Sequence, residues 1–138
     1  MIKVVKRKNK QEFEDLLKNL WQGATLQSCK KDAKVTKQFM YYEGSIAVGL
    51  LACSVKREYV AGCTTNKVAY LEGVYVLPEY RRKGIASKLV EHFKTWAKSI
   101  RCKEMASDIE VDNGISLQFH KKCGFEVVET TIHMKKDI

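Results

Sequence analysis

Three consecutive cations, Arg81, Arg82 and Lys83, precede Gly84 at the point where a predicted strand gives way to a predicted helix. Backbone N–H groups at a helix start lack partners inside the helix and lie at the positive end of its dipole. A glycine lets the backbone approach a ligand closely, so the combination favours anion binding. The pattern Arg-x-x-Gly-x-Ala over residues 81–86 therefore predicts a phosphate site. The alternative is a helix start with small residues for packing and solvated cations.

Two acidic residues lie on either side of this junction. Glu72 interrupts the otherwise apolar run VAYLEGVYVL, where a glutamate is unusual. Asp108 ends the next predicted strand, at the edge where ligand crevices open in α/β sheets. Such carboxylates fit a site that holds a cationic amine and accepts a proton from it. The alternatives are a glutamate on a solvent-facing strand edge and an aspartate that caps a helix or turn.

Hydrophobic periodicity predicts the elements that position these residues. The predicted helices are 10–21, which ends at Gly23, 84–100 and 113–123. The predicted strands are 2–5, a hairpin over 38–56 that turns at Glu43–Gly44, 68–77, 102–109 and 125–136. Residues 24–35 fit either a short helix or a loop, and residues 57–67 read as a loop.

The order of these elements predicts an α/β fold built on a single mixed central β-sheet. The strands at 68–77 and 102–109 should be parallel, because the helix between them is long enough for a crossover. The hairpin adds antiparallel pairs, and the last strand fits either direction. A chain of 138 residues suits one core, so we expect a single domain over residues 1–138.

Composition narrows the function classes. No apolar run approaches the roughly 18 residues of a transmembrane helix, and the N-terminus MIKVVKRKNK lacks the apolar stretch of a secretory signal. We therefore expect a cytoplasmic protein without a membrane partner. The five cysteines form no Cys-x-x-Cys pair, so we expect mostly buried thiols and no metal. The net charge of +9 would suit nucleic acid, but no basic–aromatic interleaving supports that partner, and we expect none.

The candidate phosphate motif lies within a larger pattern that resembles a known family. The motif follows a strand ending in Leu77-Pro78 and precedes a strand and a helix that begins at Asn113 and leads into CGFEVVE. This order resembles the GCN5-related N-acetyltransferase (GNAT) superfamily. The segments LEGVYVLPEYRRKGIA, CKEMASD and DNGISLQFHKKCGFEVVE are most similar to the aminoglycoside 6′-N-acetyltransferases, and the similarity runs from about residue 56 to 138.

The resemblance implies a fold, an activity and an assembly. The implied GNAT fold has helices on both faces of the sheet and a splayed pair of parallel strands that holds acetyl-coenzyme A. The implied activity is acetyl-coenzyme A-dependent acetylation of the 6′-amino group of aminoglycoside antibiotics, which confers resistance. Related enzymes pair through their C-terminal halves, so a homodimer is expected.

The resemblance also assigns roles to individual residues. In the family, the backbone of the central strand pairs with the pantetheine arm, and the loop at the helix start cradles the pyrophosphate. The residues assigned in this way to acetyl-coenzyme A are Val74, Tyr75, Val76, Arg81, Arg82, Lys83, Gly84, Ile85, Ala86, Ser87 and Asn113. The residues assigned to the acceptor are Trp21, Tyr59, Glu72, Asp108 and Glu129. Glu129 also fits the ordinary polar alternation of a final strand.

The expected reaction is direct transfer without an acetyl-enzyme, with Glu72, Asp108 and His120 as the catalytic residues. The attacking amine must be neutral, although a free amine is mostly protonated at pH 7. Glu72 is expected to take the proton through water, while backbone N–H groups near 74–76 polarise the thioester carbonyl. Many superfamily members place a tyrosine four residues before Gly-Phe to protonate the leaving thiolate. His120 occupies that position here, and a structural histidine is the alternative.

One segment departs from the antibiotic-modifying enzymes. Residues 22–38, QGATLQSCKKDAKVTKQ, are shorter than their counterpart and cationic. The cations are Lys30, Lys31, Lys34 and Lys37, against the single acid Asp32. If this segment borders the acceptor pocket, it would repel a polycation and favour a less charged amine. The alternative among enzymes is an acetyltransferase for a polyamine or a protein N-terminus. A non-catalytic acetyl-coenzyme A module, which would lack the acids, and a salt-sensitive nucleic-acid binder are the alternatives from other classes.

Overall fold

The computed structural model describes residues 1–20 and 37–138. The strands are β1 Ile2–Val4, β2 Lys37–Glu43, β3 Ile46–Lys56, β4 Val68–Val76 and β5 Glu104–Ser107. The helices are α1 Lys10–Leu20, α2 Ile85–Ser99 and α3 Gly114–Lys122, with short 3-10 turns at Arg7–Asn9 and Pro78–Tyr80. Several expectations lie outside the described residues. These are the helix end at Gly23, the role of Trp21, the undecided segment 24–35, and Lys30, Lys31 and Lys34.

The five strands form one mixed sheet in the order β1-β2-β3-β4-β5. Neighbours are antiparallel from β1 to β4, whereas β4 and β5 run parallel. The predicted mixed sheet and its parallel pair are therefore confirmed. The hairpin between β2 and β3 turns at Gly44–Ser45, one residue later than predicted. Gly44 has a φ of +60°, in the left-handed region that favours glycine.

Helices cover both faces of the sheet, as predicted. On one face, α1 packs Phe13 and Leu17 against Met40 and Leu50. On the other face, α2 packs its apolar stripe, including Phe93, on β3 and β4. Each stripe follows from apolar residues spaced three and four apart. Burying one such side chain contributes about 1.5–3 kcal/mol, so the two layers fix both helices on the sheet.

The start of α2 lies directly over β3, because β3 has a glycine there. A Cβ added at Gly49 would lie 3.2 Å from Ile85 Cγ2 and 3.3 Å from Leu89 Cδ1. Such contacts are tighter than ordinary van der Waals packing. Gly49 therefore sets how closely the N-terminus of α2 approaches the sheet.

The prediction of a last strand over residues 125–136 is wrong. The structure assigns no strand beyond α3. A strand requires a partner for its ladder hydrogen bonds, and no described segment pairs with this one. Its predicted apolar face is exposed, with relative exposures of 63% for Val128, 84% for Ile132 and 91% for Met134. Val128 also lies against Gly62, where an added Cβ would come within 2.8 Å of its side chain.

The cysteines are only partly the buried residues expected. Cys53 and Cys102 are buried, Cys63 and Cys123 are half-buried, and Cys29 lies outside the described residues. None of the four described cysteines forms a disulfide. Burial raises the pKa of the Cys53 thiol to about 12. Among the described helices, none is long and apolar enough to cross a membrane.

Candidate functional site

The parallel strands β4 and β5 pair over only four residues and then separate. The paired register runs from Val68 opposite Glu104 to Leu71 opposite Ser107, whereas β4 continues to Val76. Beyond Leu71, β4 pairs with β3 on one side, and no described strand pairs with its other edge. Free N–H and C=O groups along this edge can accept an extended ligand as an added strand. The expected splay of the parallel pair is therefore present.

The loop after β4 has the backbone shape of an anion site. Arg82 has a φ of +63° and Gly84 a φ of +75°, both in the left-handed region. A non-glycine residue there is uncommon and is found disproportionately at functional sites. Gly84 is the N-cap of α2, and no side chain in the described part of the chain caps the helix through a hydrogen bond. Among the described residues, none comes within 4 Å of a Cβ added at Gly84, so the space beside this glycine is open. A pyrophosphate fits such a start.

The cations of this loop do not all point to the same place. Arg81 Nε donates a 2.8 Å hydrogen bond to the Val76 carbonyl oxygen, and its guanidinium lies 5.4 Å from the Tyr75 ring centroid. Lys83 Nζ lies 5.3 Å from the Tyr80 ring centroid. Arg81 therefore ties the loop back to β4, which leaves the backbone N–H groups at the start of α2 as the candidate donors for an anion.

Glu72 is the extra residue of a β-bulge. Gly73 pairs with Ala52 and Leu71 pairs with Cys53, so Glu72 has no residue opposite it on β3. Bulges redirect a side chain and are common beside active sites. The Glu72 carboxylate accepts a 2.6 Å hydrogen bond from Ser54 Oγ, and its side chain is one-third exposed. The bulge and Ser54 together fix an accessible carboxylate where β4 and β5 part.

Asp108 joins the same cluster through Tyr70. Asp108 follows β5, and the Tyr70 hydroxyl donates a short hydrogen bond to its Oδ1. Burial and the neighbouring carboxylates of Asp108 and Glu72 raise the pKa of the Tyr70 phenol, so it stays protonated and remains a donor. Tyr70 and Glu72 are two residues apart on β4, and Ser54 is opposite Tyr70 on β3. The structure thus brings the two predicted acids into one connected cluster.

His120 lies on the face of the sheet that α2 covers, opposite to the face that carries Tyr70 and Glu72. It is buried beside Phe125, and its Nδ1 lies 2.7 Å from the Ser116 carbonyl oxygen. Its Nε2 lies 3.1 Å from Ser107 Oγ, and that hydroxyl donates to the Leu71 carbonyl oxygen at 3.1 Å. The structure therefore does not bring His120 together with the two acids. It connects the imidazole, through Ser107, to the last residue pair before β4 and β5 separate.

The other predicted site residues lie at the edges of this region. Asn113 is the N-cap of α3, and its Oδ1 accepts a 3.1 Å hydrogen bond from Ser116 N–H. Tyr59 is 83% exposed on the loop between β3 and β4. Glu129 is exposed in the C-terminal segment and accepts a hydrogen bond from Thr131. In the described structure, neither Tyr59 nor Glu129 contacts the acid cluster through a hydrogen bond.

Glu104 fastens the loop that carries Tyr59. Its Oε1 accepts hydrogen bonds from Thr65 N–H at 2.7 Å and from Thr64 N–H at 3.0 Å. Hydrogen bonds from the Thr65 hydroxyl and N–H hold the pKa of the Glu104 carboxyl below its ordinary value. The β3–β4 loop is therefore tied to the first residue of β5.

Sequence reasoning missed four residues of the site: Ser54, Lys56, Tyr70 and Ser107. The available signal was alternation, because residues two apart on a strand share a face. Alternation from Glu72 leads to Tyr70 on the same strand. Ser54 and Lys56 join the site through the register between β3 and β4. That register could not be predicted from the sequence, because it depends on the bulge. No group of three potential metal ligands occurs within the described residues.

Comparisons with known proteins fit this geometry. The family model "Acetyltransferase (GNAT) family" matches residues 5–125. The chain belongs to the GNAT acetyltransferase family. It is 46% identical over 98 residues to an aminoglycoside N(6′)-acetyltransferase type 1 of Acinetobacter baumannii, covering 71% of this chain and 67% of that protein. The aminoglycoside N(6′)-acetyltransferase type 1 of Salmonella typhimurium is 32% identical, and the alignment covers 98% of this chain and 97% of that protein.

Solved structures of GNAT enzymes share the whole fold. The enzyme AAC(6′)-Iy, in complex with the bisubstrate analogue CoA-S-monomethyl-acetylneamine, aligns with a TM-score of 0.91 and 30% identity. The alignment covers 100% of this chain and 98% of that one. AAC(6′)-Ih from Acinetobacter baumannii aligns with a TM-score of 0.88 and 36% identity, covering 100% and 98% of the two chains. The predicted GNAT fold, acyltransferase class and acetyl-coenzyme A donor are therefore confirmed.

Proposed function

We propose that this chain transfers an acetyl group from acetyl-coenzyme A directly to the 6′-amino group of an aminoglycoside. The observation that carries the proposal is the connected acid pair Glu72 and Asp108, beside the free edge of β4 and at the point where β5 leaves it. Relatives named aminoglycoside N(6′)-acetyltransferases support the choice of acceptor.

The donor would be held almost entirely by backbone. The free edge of β4 at Val74–Val76 offers hydrogen-bonding groups to the amides of the pantetheine arm. The turn over Arg82–Gly84 and the uncapped start of α2 at Ile85–Ser87 offer N–H groups to the pyrophosphate. Acetyl-coenzyme A supplies the thioester whose acetyl group is transferred. Because α2 rests on Gly49, its N-terminus keeps a fixed distance from the edge of β4.

Glu72 is the proposed base and acceptor anchor. Its carboxylate takes the proton of the acceptor ammonium, directly or through water, and Asp108 holds a second ammonium group. The neutral amine then forms the N–C bond as the C–S bond breaks, and the nitrogen releases its second proton to water. Backbone N–H groups of Val74–Val76 stabilise the oxygen of the carbonyl under attack.

The proton that the leaving thiolate requires has a candidate source. Ser107 Oγ lies at the fork of the two strands and contacts His120 Nε2. We propose that the thiolate takes its proton from Ser107 Oγ, which regains one from water, while His120 Nε2 orients that hydroxyl. His120 acts through Ser107 in this scheme and is a positioning residue for it.

We also propose that the chain is a single domain and assembles as a homodimer through the segment 125–138. Three apolar side chains of that segment, Val128, Ile132 and Met134, are more than 60% exposed. The outer edge of β5 has no described partner. Exposed apolar side chains and an unpaired sheet edge are each typical of an interface. The free thiols among the described residues fit a reducing compartment, and we propose the cytoplasm.

The acceptor is tested by thiol release from acetyl-coenzyme A against matched aminoglycosides with a 6′-amino or a 6′-hydroxyl group. Activity confined to the 6′-amino set supports the proposal. Activity on polyamines or peptide N-termini, with none on either aminoglycoside set, overturns the acceptor while leaving the acetyltransferase class intact.

The assembly is tested by sedimentation. The parent chain should sediment as a dimer, and the double variant I132K/M134K as a folded monomer. An exposed pair on α2, changed by K94E/K98E, serves as the control for altered surface charge and should leave the dimer intact. A parent chain that sediments as a monomer overturns the dimer.

A further inference from the structure

A lysine lies inside the acid cluster of the candidate acceptor site. Lys56, the last residue of β3, places Nζ 4.0 Å from Glu72 Oε1 and 4.6 Å from the centroid of the Tyr70 ring. Its side chain is only 23% exposed, so the methylene stem lies along the protein surface. The ammonium group of Lys56 thus approaches the carboxylate proposed to receive the ammonium group of the acceptor.

Tyr70 connects this lysine to the second acid. The Tyr70 ring is the surface over which Lys56 Nζ lies, and its hydroxyl donates to Asp108. A cation over an aromatic face is attracted to the ring, so Tyr70 favours a position of Lys56 close to Glu72. A cation, an aromatic face and two carboxylates are thereby combined in one cluster.

The charges within the cluster oppose each other in their effect on a ligand. Glu72 and Asp108 attract an ammonium group, whereas Lys56 repels it and already interacts with Glu72. A partly exposed ion pair is weak, and a lysine side chain has enough rotamers to move aside. An entering cation can therefore displace Lys56, at a cost that the bound state must offset.

We propose that Lys56 is a specificity-determining residue that competes with the acceptor's ammonium group for Glu72. This inference rests on the proposed function of Glu72 and goes beyond it. Lys56 lowers affinity for every cationic acceptor, and the penalty grows with the number of positive charges that the acceptor brings near the cluster. The chain thereby disfavours acceptors that cannot make further compensating contacts.

The test compares three substitutions at one position. Lys56→Met keeps the length of the stem over Tyr70 and removes the charge, Lys56→Gln is a polar neutral alternative, and Lys56→Arg keeps the charge. Lys98→Met, on the exposed face of α2, removes one charge from the other side of the sheet and controls for net charge. Thiol release gives the KM of the acceptor, the KM of acetyl-coenzyme A and kcat. Calorimetry with the same aminoglycoside and coenzyme A gives binding without turnover.

We expect both neutral variants to lower the acceptor KM and its dissociation constant about fivefold, the size of a partly exposed ion pair. The KM of acetyl-coenzyme A should stay unchanged, and Lys56→Arg and Lys98→Met should match the parent chain. The gain should shrink as salt is added, because salt screens the repulsion. A general packing defect would not improve acceptor binding or make it depend on salt.

This design distinguishes failure of the proposed function from failure of the competition by Lys56. A parent chain that binds the aminoglycoside but does not acetylate it overturns the proposed function and leaves the calorimetric comparison valid. Equal dissociation constants for Lys56→Met, Lys56→Gln and the parent chain overturn the competition, as does weaker binding by the neutral variants or binding by no variant at all.

Discussion

Replacing Glu72 by Gln removes one negative charge from the acid cluster with little change of shape. The amide oxygen of Gln can still accept the hydrogen bond from Ser54 Oγ, so the bulge in β4 should keep its conformation. What is lost is a charged acceptor for the ammonium group and the base that takes its proton. A hydrogen bond to a charged group contributes about 1.5–3 kcal/mol, which corresponds to a loss of about 10- to 150-fold in kcat/KM.

The assay is thiol release with the aminoglycoside varied at saturating acetyl-coenzyme A, and then with the roles reversed. The loss in Glu72→Gln should appear in kcat/KM of the acceptor and leave the KM of acetyl-coenzyme A unchanged. Glu91→Gln, an exposed glutamate on α2 beside Lys94, is the matched control and should behave as the parent chain. Thermal melting should show little change, since the Glu72 side chain is one-third exposed. If Glu72→Gln retains activity within about twofold, the assignment of Glu72 is refuted.

Three further predictions concern groups around this centre. Tyr70→Phe removes the hydroxyl that orients Asp108 and should raise the acceptor KM about fivefold in thiol-release kinetics, with no change for acetyl-coenzyme A; an unchanged acceptor KM would contradict that role. Gly84→Ala should weaken acetyl-coenzyme A binding in calorimetry and destabilise the fold by about 1–2 kcal/mol, whereas Gly44→Ala, at a similar positive φ in the hairpin, should cost stability alone. The lowered pKa of Glu104 stabilises the β3–β4 loop above the ordinary carboxyl pKa of 4.5 and loses that effect as the pH falls through the lower folded value. The protection of the loop amides, corrected for their intrinsic exchange rate at each pH, should therefore fall in acid, and Glu104→Gln should abolish this fall.

Features with a local cause were predictable from the sequence. Gly84 lies at the start of α2 and Asn113 at the start of α3, where the sequence predicted those helices to begin. The helices and the parallel pair followed from hydrophobic spacing and connection length, which are properties of single segments. Glu72 was identified because it is the one charged residue in an apolar strand.

Features that depend on distant partners were not predictable. The bulge at Glu72 exists only in the register between β3 and β4, and it is this register that brings Lys56 to the acids. Helical spacing places His120 on a buried face but does not say which side of the sheet that face meets. The prediction of the last strand was wrong for the same reason, because a polar–apolar alternation favours a strand but does not show whether a pairing partner exists.

The central claim, acetylation of a 6′-amino group at the fork of β4 and β5, is tested most directly by locating the acetyl group on the product. An aminoglycoside with amino groups at 6′ and at other positions is incubated with the chain and acetyl-coenzyme A, and the product is mapped by NMR. A single acetyl group on the 6′ nitrogen is the predicted result. An acetyl group on any other nitrogen, or recovery of the aminoglycoside unmodified, would contradict the account.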